Sequence, residues 1–153
     1  MTPLLPGFSF RETLRGTYWR LDAPLEELAL TLSLEARAGD VARFVRDRVW
    51  TVTGVIDAQG LATRRPVEGS ILFHLPDERR LPYRVRFEGD DGGRYELSGQ
   101  KEWLGVAPVA SMTTLPVTIY DPRGQELGRG TLRFDARRDW ARWLRSFRLR
   151  LPR

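Results

Sequence analysis

The chain has 153 residues, the size of one ordinary domain, with no cysteine and one histidine. Disulfides and cysteine-ligated metal sites are therefore excluded, and a Ser-His-Asp triad could use only His74. Hydrophobic residues make up 41% of the chain, which is enough to bury a core. No stretch reaches the roughly 18 apolar residues of a membrane span. The formal net charge is +5.

The N-terminal half reads as strands with one buried face. The first predicted strand runs from about Phe8 to Arg20. Leucines alternate with small or polar residues over Leu28–Glu35, which is the period-two pattern of a half-buried strand. Val49–Asp57 is rich in β-branched residues and ends at a turn sequence, residues 57–60.

The same pattern continues through the second half of the chain. Gly89–Gly93 is a strong hairpin signal, and residues 121–124 form a second turn sequence. The predicted strands here are Val67–Leu75, Tyr83–Phe87, Tyr95–Trp103, Leu115–Ile119 and Leu127–Phe134.

About eight strands joined by short turns predict a mainly β fold. We expect an antiparallel meander that forms a closed or nearly closed, lipocalin-like barrel over residues 1–136, because closure removes exposed sheet edges. A two-sheet sandwich is the alternative. One short helix is predicted at Gly39–Arg46, where Asp40 can act as the N-cap.

The C-terminal segment, residues 137–153, is predicted to be a basic amphipathic helix. Its apolar residues recur at helical spacing, and it holds seven arginines and one acid, whereas residues 1–136 hold 18 basic and 19 acidic residues. A near-neutral body makes nucleic acid an unexpected partner. The helix could pack on the barrel, bind a partner protein or lie on an anionic membrane. The docking candidates are Trp140, Arg142, Trp143, Arg145, Phe147 and Arg148.

Several short motifs occur together in a fixed order along the chain. They are Phe10–Gly16 (FRETLRG), Tyr95–Lys101 (YELSGQK), Met112–Leu115 (MTTL), Gly130–Phe134 (GTLRF), Asp139–Trp140 and Leu144–Arg148 (LRSFR). In this order the chain resembles the β-rich accessory domain of bacterial cholesterol-oxidase-like flavoproteins of the glucose–methanol–choline group. The resemblance implies a link to steroid or lipid metabolism.

The flavin-binding element of that group is missing. Flavin binding there uses a Gly-x-Gly-x-x-Gly turn between a strand and a helix, and Gly124–Gly130 has neither that spacing nor that context. The resemblance therefore transfers no oxidase activity, and we expect no cofactor.

Two charged residues are candidates for the barrel interior. Glu12 shares a predicted strand face with Phe8, Phe10 and Leu14, where a carboxylate is costly unless it has a partner. Lys101 is the one lysine of the chain and lies on an inward face by alternation. We predict that the two pair inside the barrel. His74 falls on the opposite strand face from Phe73 and is expected at the surface.

The sequence favours a non-enzymatic barrel that binds a hydrophobic small molecule, of steroid or fatty-acyl type, without a metal. We expect a cytoplasmic location because the N-terminus has no signal-peptide pattern. One alternative is an accessory module that meets a lipid- or steroid-metabolising flavoenzyme, or a membrane surface, through the C-terminal helix. A weaker alternative is a small lipid isomerase or cyclase that uses Glu12 or Lys101. The interior candidates are Glu12, Tyr83, Phe87, Tyr95, Lys101 and Trp103.

Overall fold

The computed structural model describes residues 7–38, 49–72, 80–102, 114–133 and 148–150. These residues form strands throughout, joined by tight turns. The strands are β1 (Gly7–Arg20), β2 (Ala23–Ala38), β3 (Val49–Ala58), β4 (Ala62–Leu72), β5 (Arg80–Glu88), β6 (Arg94–Glu102), β7 (Thr114–Tyr120), β8 (Glu126–Arg133) and β9 (Arg148–Arg150).

The first eight strands close into one antiparallel barrel. Each strand from β1 to β7 pairs with the next in the chain, and β8 returns to pair with β1. The predicted closed antiparallel barrel is confirmed, and the two-sheet alternative is not what forms; its likeness to lipocalins stays a prediction. No helix occurs among the residues described, and the helix predicted at Gly39–Arg46 lies outside them.

The turns between β1 and β2, β3 and β4, β5 and β6, and β7 and β8 all lie at one end of the barrel, which we call the hairpin end. Three of them use a glycine with positive φ, namely Gly60, Gly92 and Gly124. A side chain is strained in that conformation, so glycine suits these turns. The other end is called the distal end, and the chain segments that join strands there lie outside the described residues.

Inward-facing positions alternate along each strand, and most of them are aliphatic. Eleven large side chains are less than 2% exposed, so they border no void that admits water. The middle of the barrel is therefore packed solid. These side chains are Leu14, Tyr18, Leu30, Leu32, Val52, Ile56, Val85, Leu97, Leu115, Ile119 and Leu132.

Glycines at inward positions let neighbouring strands approach closely where the sheet coils. A Cβ added to Gly54 would lie 1.8 Å from the carbonyl oxygen of Ser33 on β2. Gly16 and Gly69 meet neighbouring backbones at 1.8 and 1.9 Å by the same measure. Since real Cβ atoms do not come this close to backbone oxygens, the local curvature of the barrel requires glycine at these positions.

The helix predicted for residues 137–153 is wrong at residues 148–150, which form strand β9. β9 pairs antiparallel with Gly7–Ser9 at the start of β1. In the described residues, the pairing of β1 with β8 ends at Arg15, so β9 supplies backbone partners for the part of β1 that continues beyond it. Arg148 and Arg150 flank Leu149, a period-two pattern that fits a strand. Residues 137–147 lie outside the described residues.

Replacing Gly54 by alanine tests the close contact between β3 and β2. The substitution Gly54→Ala is expected to lower the free energy of unfolding by about 3 kcal/mol or more, because the new methyl group would push against the β2 backbone. Urea denaturation of the purified protein measures this loss.

Gly60→Ala is the matched control. Gly60 has φ +79° but nothing within 4 Å of an added Cβ, so only backbone strain of about 1–2 kcal/mol is expected. Equal losses in the two variants would contradict the role given to the strand contact.

Candidate functional site

A hydrogen bond crosses the barrel interior. The Tyr83 hydroxyl donates to Glu12 Oε1 at 2.8 Å, and both side chains are buried. Glu12 lies on β1 and Tyr83 on β5, and three strands separate them in either direction around the ring. The pair therefore joins opposite walls of the barrel.

The pair lies at the boundary of the packed middle of the barrel. The next inward residues toward the hairpin end on the same two strands are Leu14 and Val85, and both have 0% exposure. No water-sized void touches either of them. The Glu12–Tyr83 pair therefore lies directly against fully buried residues of the core.

Apolar residues are close to the pair in the register of the sheet. Ile71 pairs across the sheet with Tyr83, and Trp50 pairs with Ile71. Ala36 lies one inward position beyond Leu34, the residue opposite Glu12. We call Ala36, Trp50 and Ile71, together with the pair, the distal layer. It combines apolar side chains with two buried polar groups inside the barrel.

The electrostatics of the pair fix the direction of its hydrogen bond. Burial raises the pKa of Tyr83 well above its ordinary value of 10, and the negative charge of Glu12 and the hydrogen bond to it raise that pKa further. The phenol consequently stays protonated at neutral pH and acts as the donor, while the carboxylate accepts.

The predicted burial of Glu12 is confirmed, while its predicted contact with Lys101 stays a prediction. The Lys101 backbone pairs with Leu81, one inward position distal to Tyr83, but the described part of the chain does not include its side chain. Trp103 lies outside the described residues. Strand alternation placed Tyr83 inside the barrel, but only the closure of β8 on β1 brings it opposite Glu12.

Phe87 and Tyr95, the other interior candidates, lie near the hairpin end. Their rings stack with centroids 5.7 Å apart and planes 19° from parallel. Phe87 is four residues from Tyr83 along β5, a separation of about 13 Å. The predicted interior set therefore divides into two clusters, and only the distal one holds a buried charge.

The Tyr95 hydroxyl bonds to an aspartate in the neighbouring turn. It donates to Asp91 Oδ2 at 2.5 Å, and the Gly93 amide donates to Asp91 Oδ1 at 2.9 Å. The hydrogen bond to Asp91 is the main cause that raises the pKa of Tyr95 to about 12. The same bond lowers the pKa of Asp91 below its ordinary value.

Further hydrogen bonds tie the turns of the hairpin end to each other. Asp90 accepts from the Thr63 amide and hydroxyl at 3.0 and 2.7 Å and from Arg65 Nε at 3.0 Å. Tyr18 donates to the Gln59 carbonyl oxygen at 2.5 Å. These hydrogen bonds hold the turns against neighbouring strands at the hairpin end.

The outer wall also has a cleft, of about 1050 Å³, that crosses strands β3 to β7. Outward-facing acids and bases alternate there, including Glu68, Arg86 and Glu96, and Arg84 Nε lies 3.2 Å from Glu96 Oε1. An interleaved, exposed charge pattern is typical of a solvated surface.

The docking residues predicted in the C-terminal segment are only partly described. Trp140, Arg142, Trp143, Arg145 and Phe147 lie outside the described residues. Arg148 belongs to β9 and not to a helix. The proposed docking of this segment on a partner or a membrane therefore stays a prediction.

Comparisons with protein-family models, with curated proteins and with solved structures returned no match. The resemblance to the flavoprotein accessory domain thus stays a prediction. Within the described residues, no helix has the length and apolar character needed to cross a membrane. The same residues contain no group of three or more His, Cys, Asp or Glu side chains that could hold a metal ion.

Replacing Tyr83 by phenylalanine tests the hydrogen bond across the barrel. Tyr83→Phe is expected to lower the free energy of unfolding by about 1–3 kcal/mol, because the buried Glu12 loses a donor. Adding Glu12→Leu should recover part of this loss, since both polar groups are then gone. Urea denaturation of both single variants and the double variant measures the coupling, and strictly additive losses would refute the contact.

The Tyr95–Asp91 contact predicts a pH dependence. Because the folded pKa of Tyr95 is about 12, its contribution is fully present below pH 10 and is lost as pH rises through about 12. The lowered pKa of Asp91 adds stability above about pH 4, and this is lost as pH falls through the folded value. Tyr95→Phe should flatten both limbs of the curve of unfolding free energy against pH. Equal curves for wild type and Tyr95→Phe would count against the contact.

Proposed function

We propose that this protein is a non-enzymatic binding protein that holds a hydrophobic small molecule in the distal layer of its barrel. One observation carries the proposal: a buried carboxylate is hydrogen-bonded to a buried phenol inside the barrel, where most of the described inward side chains are apolar. Sites for small molecules commonly combine apolar walls with a few polar groups that orient the ligand.

The packing of the barrel limits where the ligand can lie. Barrels of eight strands have an interior that side chains can fill or that can hold one small ligand. Here Leu14 and Val85, the next inward residues toward the hairpin end, are fully buried. We therefore propose a ligand that inserts one end from the distal side and rests against the Glu12–Tyr83 pair.

The resemblance to the flavoprotein accessory domain supports a steroid or another lipid as the ligand. It is also the basis for the alternative role as an accessory module for a flavoenzyme. That role depends on the C-terminal segment, most of which lies outside the described residues, so no described contact favours it over ligand binding.

Titration with Nile red, a neutral lipophilic dye, tests the proposal. Saturable fluorescence enhancement with one dye per barrel is expected for the wild-type protein. Trp50→Leu removes aromatic surface from the distal layer and should weaken binding about tenfold, because buried aromatic contacts supply a large share of binding energy. Circular dichroism verifies that the variant is folded.

Leu25→Ser is the control for dye bound to the outer surface. Leu25 is fully exposed near the turn between β1 and β2, far from the distal layer. Its replacement should leave dye affinity unchanged. Absence of saturable binding, or binding that depends on Leu25 and not on Trp50, would overturn the proposed function.

A further inference from the structure

We infer that the ligand enters the barrel through its wall, between the distal parts of β6 and β7, where the Leu115 side chain closes the route. The inference rests on the proposed function and identifies how its site is reached. We call this part of the wall, residues 100–102 on β6 and 114–116 on β7, the seam.

The two strands of the seam pair with their other neighbours but not with each other. In the described residues, the pairing of β6 with β7 ends at Gly99 and Val117. β6 continues to pair with β5 as far as Glu102, and β7 continues to pair with β8 back to Thr114. The β5–β6 and β7–β8 hairpins therefore keep their own hydrogen bonds when they move apart at the seam.

Pro116 stops the pairing of β6 with β7. A Cβ added to Gly99 would lie 2.9 Å from the Pro116 carbonyl oxygen, so the backbone of Pro116 faces β6. The N–H and C=O of a strand residue point to the same neighbour, and the register sets Gln100 opposite Pro116. Since proline has no N–H, it cannot donate the ladder hydrogen bond that the Gln100 carbonyl would otherwise accept.

An apolar contact crosses the seam instead. The same added Cβ would lie 3.0 Å from Leu115 Cδ1 and 3.1 Å from Leu115 Cγ, so the Leu115 side chain packs over Gly99 on the neighbouring strand. Leu115 is 0% exposed, so the seam is closed to water at this residue. Because apolar contacts have no required direction, this one can separate and form again without the loss of a hydrogen bond.

The seam leads to the candidate site. Gly99 pairs with Tyr83 on β5, and glycine places no side chain at this position. Displacement of Leu115 therefore makes room next to Tyr83, which is one half of the Glu12–Tyr83 pair. A ligand that passes the seam arrives at the place where the proposed function requires it.

A disulfide across the seam tests the inference. The chain has no cysteine, so Gln100→Cys combined with Pro116→Cys gives one possible disulfide. Nile red association is followed by stopped-flow fluorescence in the oxidised and then in the reduced protein. Oxidation should slow association at least about tenfold, because entry requires the strands to separate, and reduction should restore the rate. The equilibrium affinity should change less than about twofold, since the seam is closed in both the free and the bound protein.

Pro116→Val is a second test that needs no disulfide. Valine supplies the missing N–H and suits a strand, so the ladder can extend to Gln100. Association and dissociation should both slow about fivefold, because one backbone hydrogen bond must then break for the seam to open. Pro66→Val is the matched control. Pro66 is also exposed and also borders a ladder, next to Val67 where the pairing of β4 with β5 begins on the hairpin side. Its replacement should leave both rates unchanged.

Ser33→Cys combined with Val55→Cys is the control for the disulfide itself, because these residues pair across β2 and β3, away from the seam. Circular dichroism verifies that every variant is folded. Equal association rates in the oxidised and reduced seam variant would overturn the inference while the proposed binding function stands. Equal slowing by the β2–β3 disulfide would overturn it as well. If the seam disulfide does not form, unchanged rates in Pro116→Val have the same consequence. Absence of saturable dye binding to the wild-type protein would instead be a failure of the proposed function.

Discussion

The structure depends on the double pairing of β1. This strand joins β2 along one edge, and β8 and β9 along the other, so that a meander becomes a ring. Closure satisfies the backbone groups that an open sheet would leave at its edges. It also requires tight curvature, which the inward glycines allow, and it sets β5 opposite β1. The contact between Glu12 and Tyr83 exists only because of that ring.

The protein contains the same chemical pair, a tyrosine hydroxyl with a carboxylate, in two different settings. Tyr95 and Asp91 meet at the hairpin end, where Asp91 is exposed and water can replace the lost contact. Tyr83 and Glu12 meet inside the barrel, where breaking the bond leaves a buried carboxylate short of a donor. Surface polar pairs add little to stability, whereas buried ones specify a single arrangement or serve a ligand. This contrast makes the inner pair the candidate site.

Period-two alternation was enough to predict the strands, their inward faces and the barrel, and it placed Glu12 among buried residues. It did not reveal that Tyr83 is a partner of Glu12, because alternation gives the face of a residue and not its height along the barrel. That height depends on the register of every strand pair around the ring. Residues 148–150 show a different limit. The helical spacing that begins at Trp140 extended the predicted helix over these residues, although their own alternation fits a strand. They form β9 because they pair with the start of β1.

The pairing of β1 with β8 also constrains how the chain folds. Tyr18 on β1 lies opposite Gly130 on β8, so the second edge of β1 is covered only after β8 has been synthesised. Hairpins such as β5–β6 can form from local sequence, but closure brings together segments that are distant in the chain and therefore costs loop entropy. Until β8 is synthesised, β1 presents an uncovered edge that could pair with another chain. The nascent chain is thus most exposed to aggregation in the period before β8 closes the barrel.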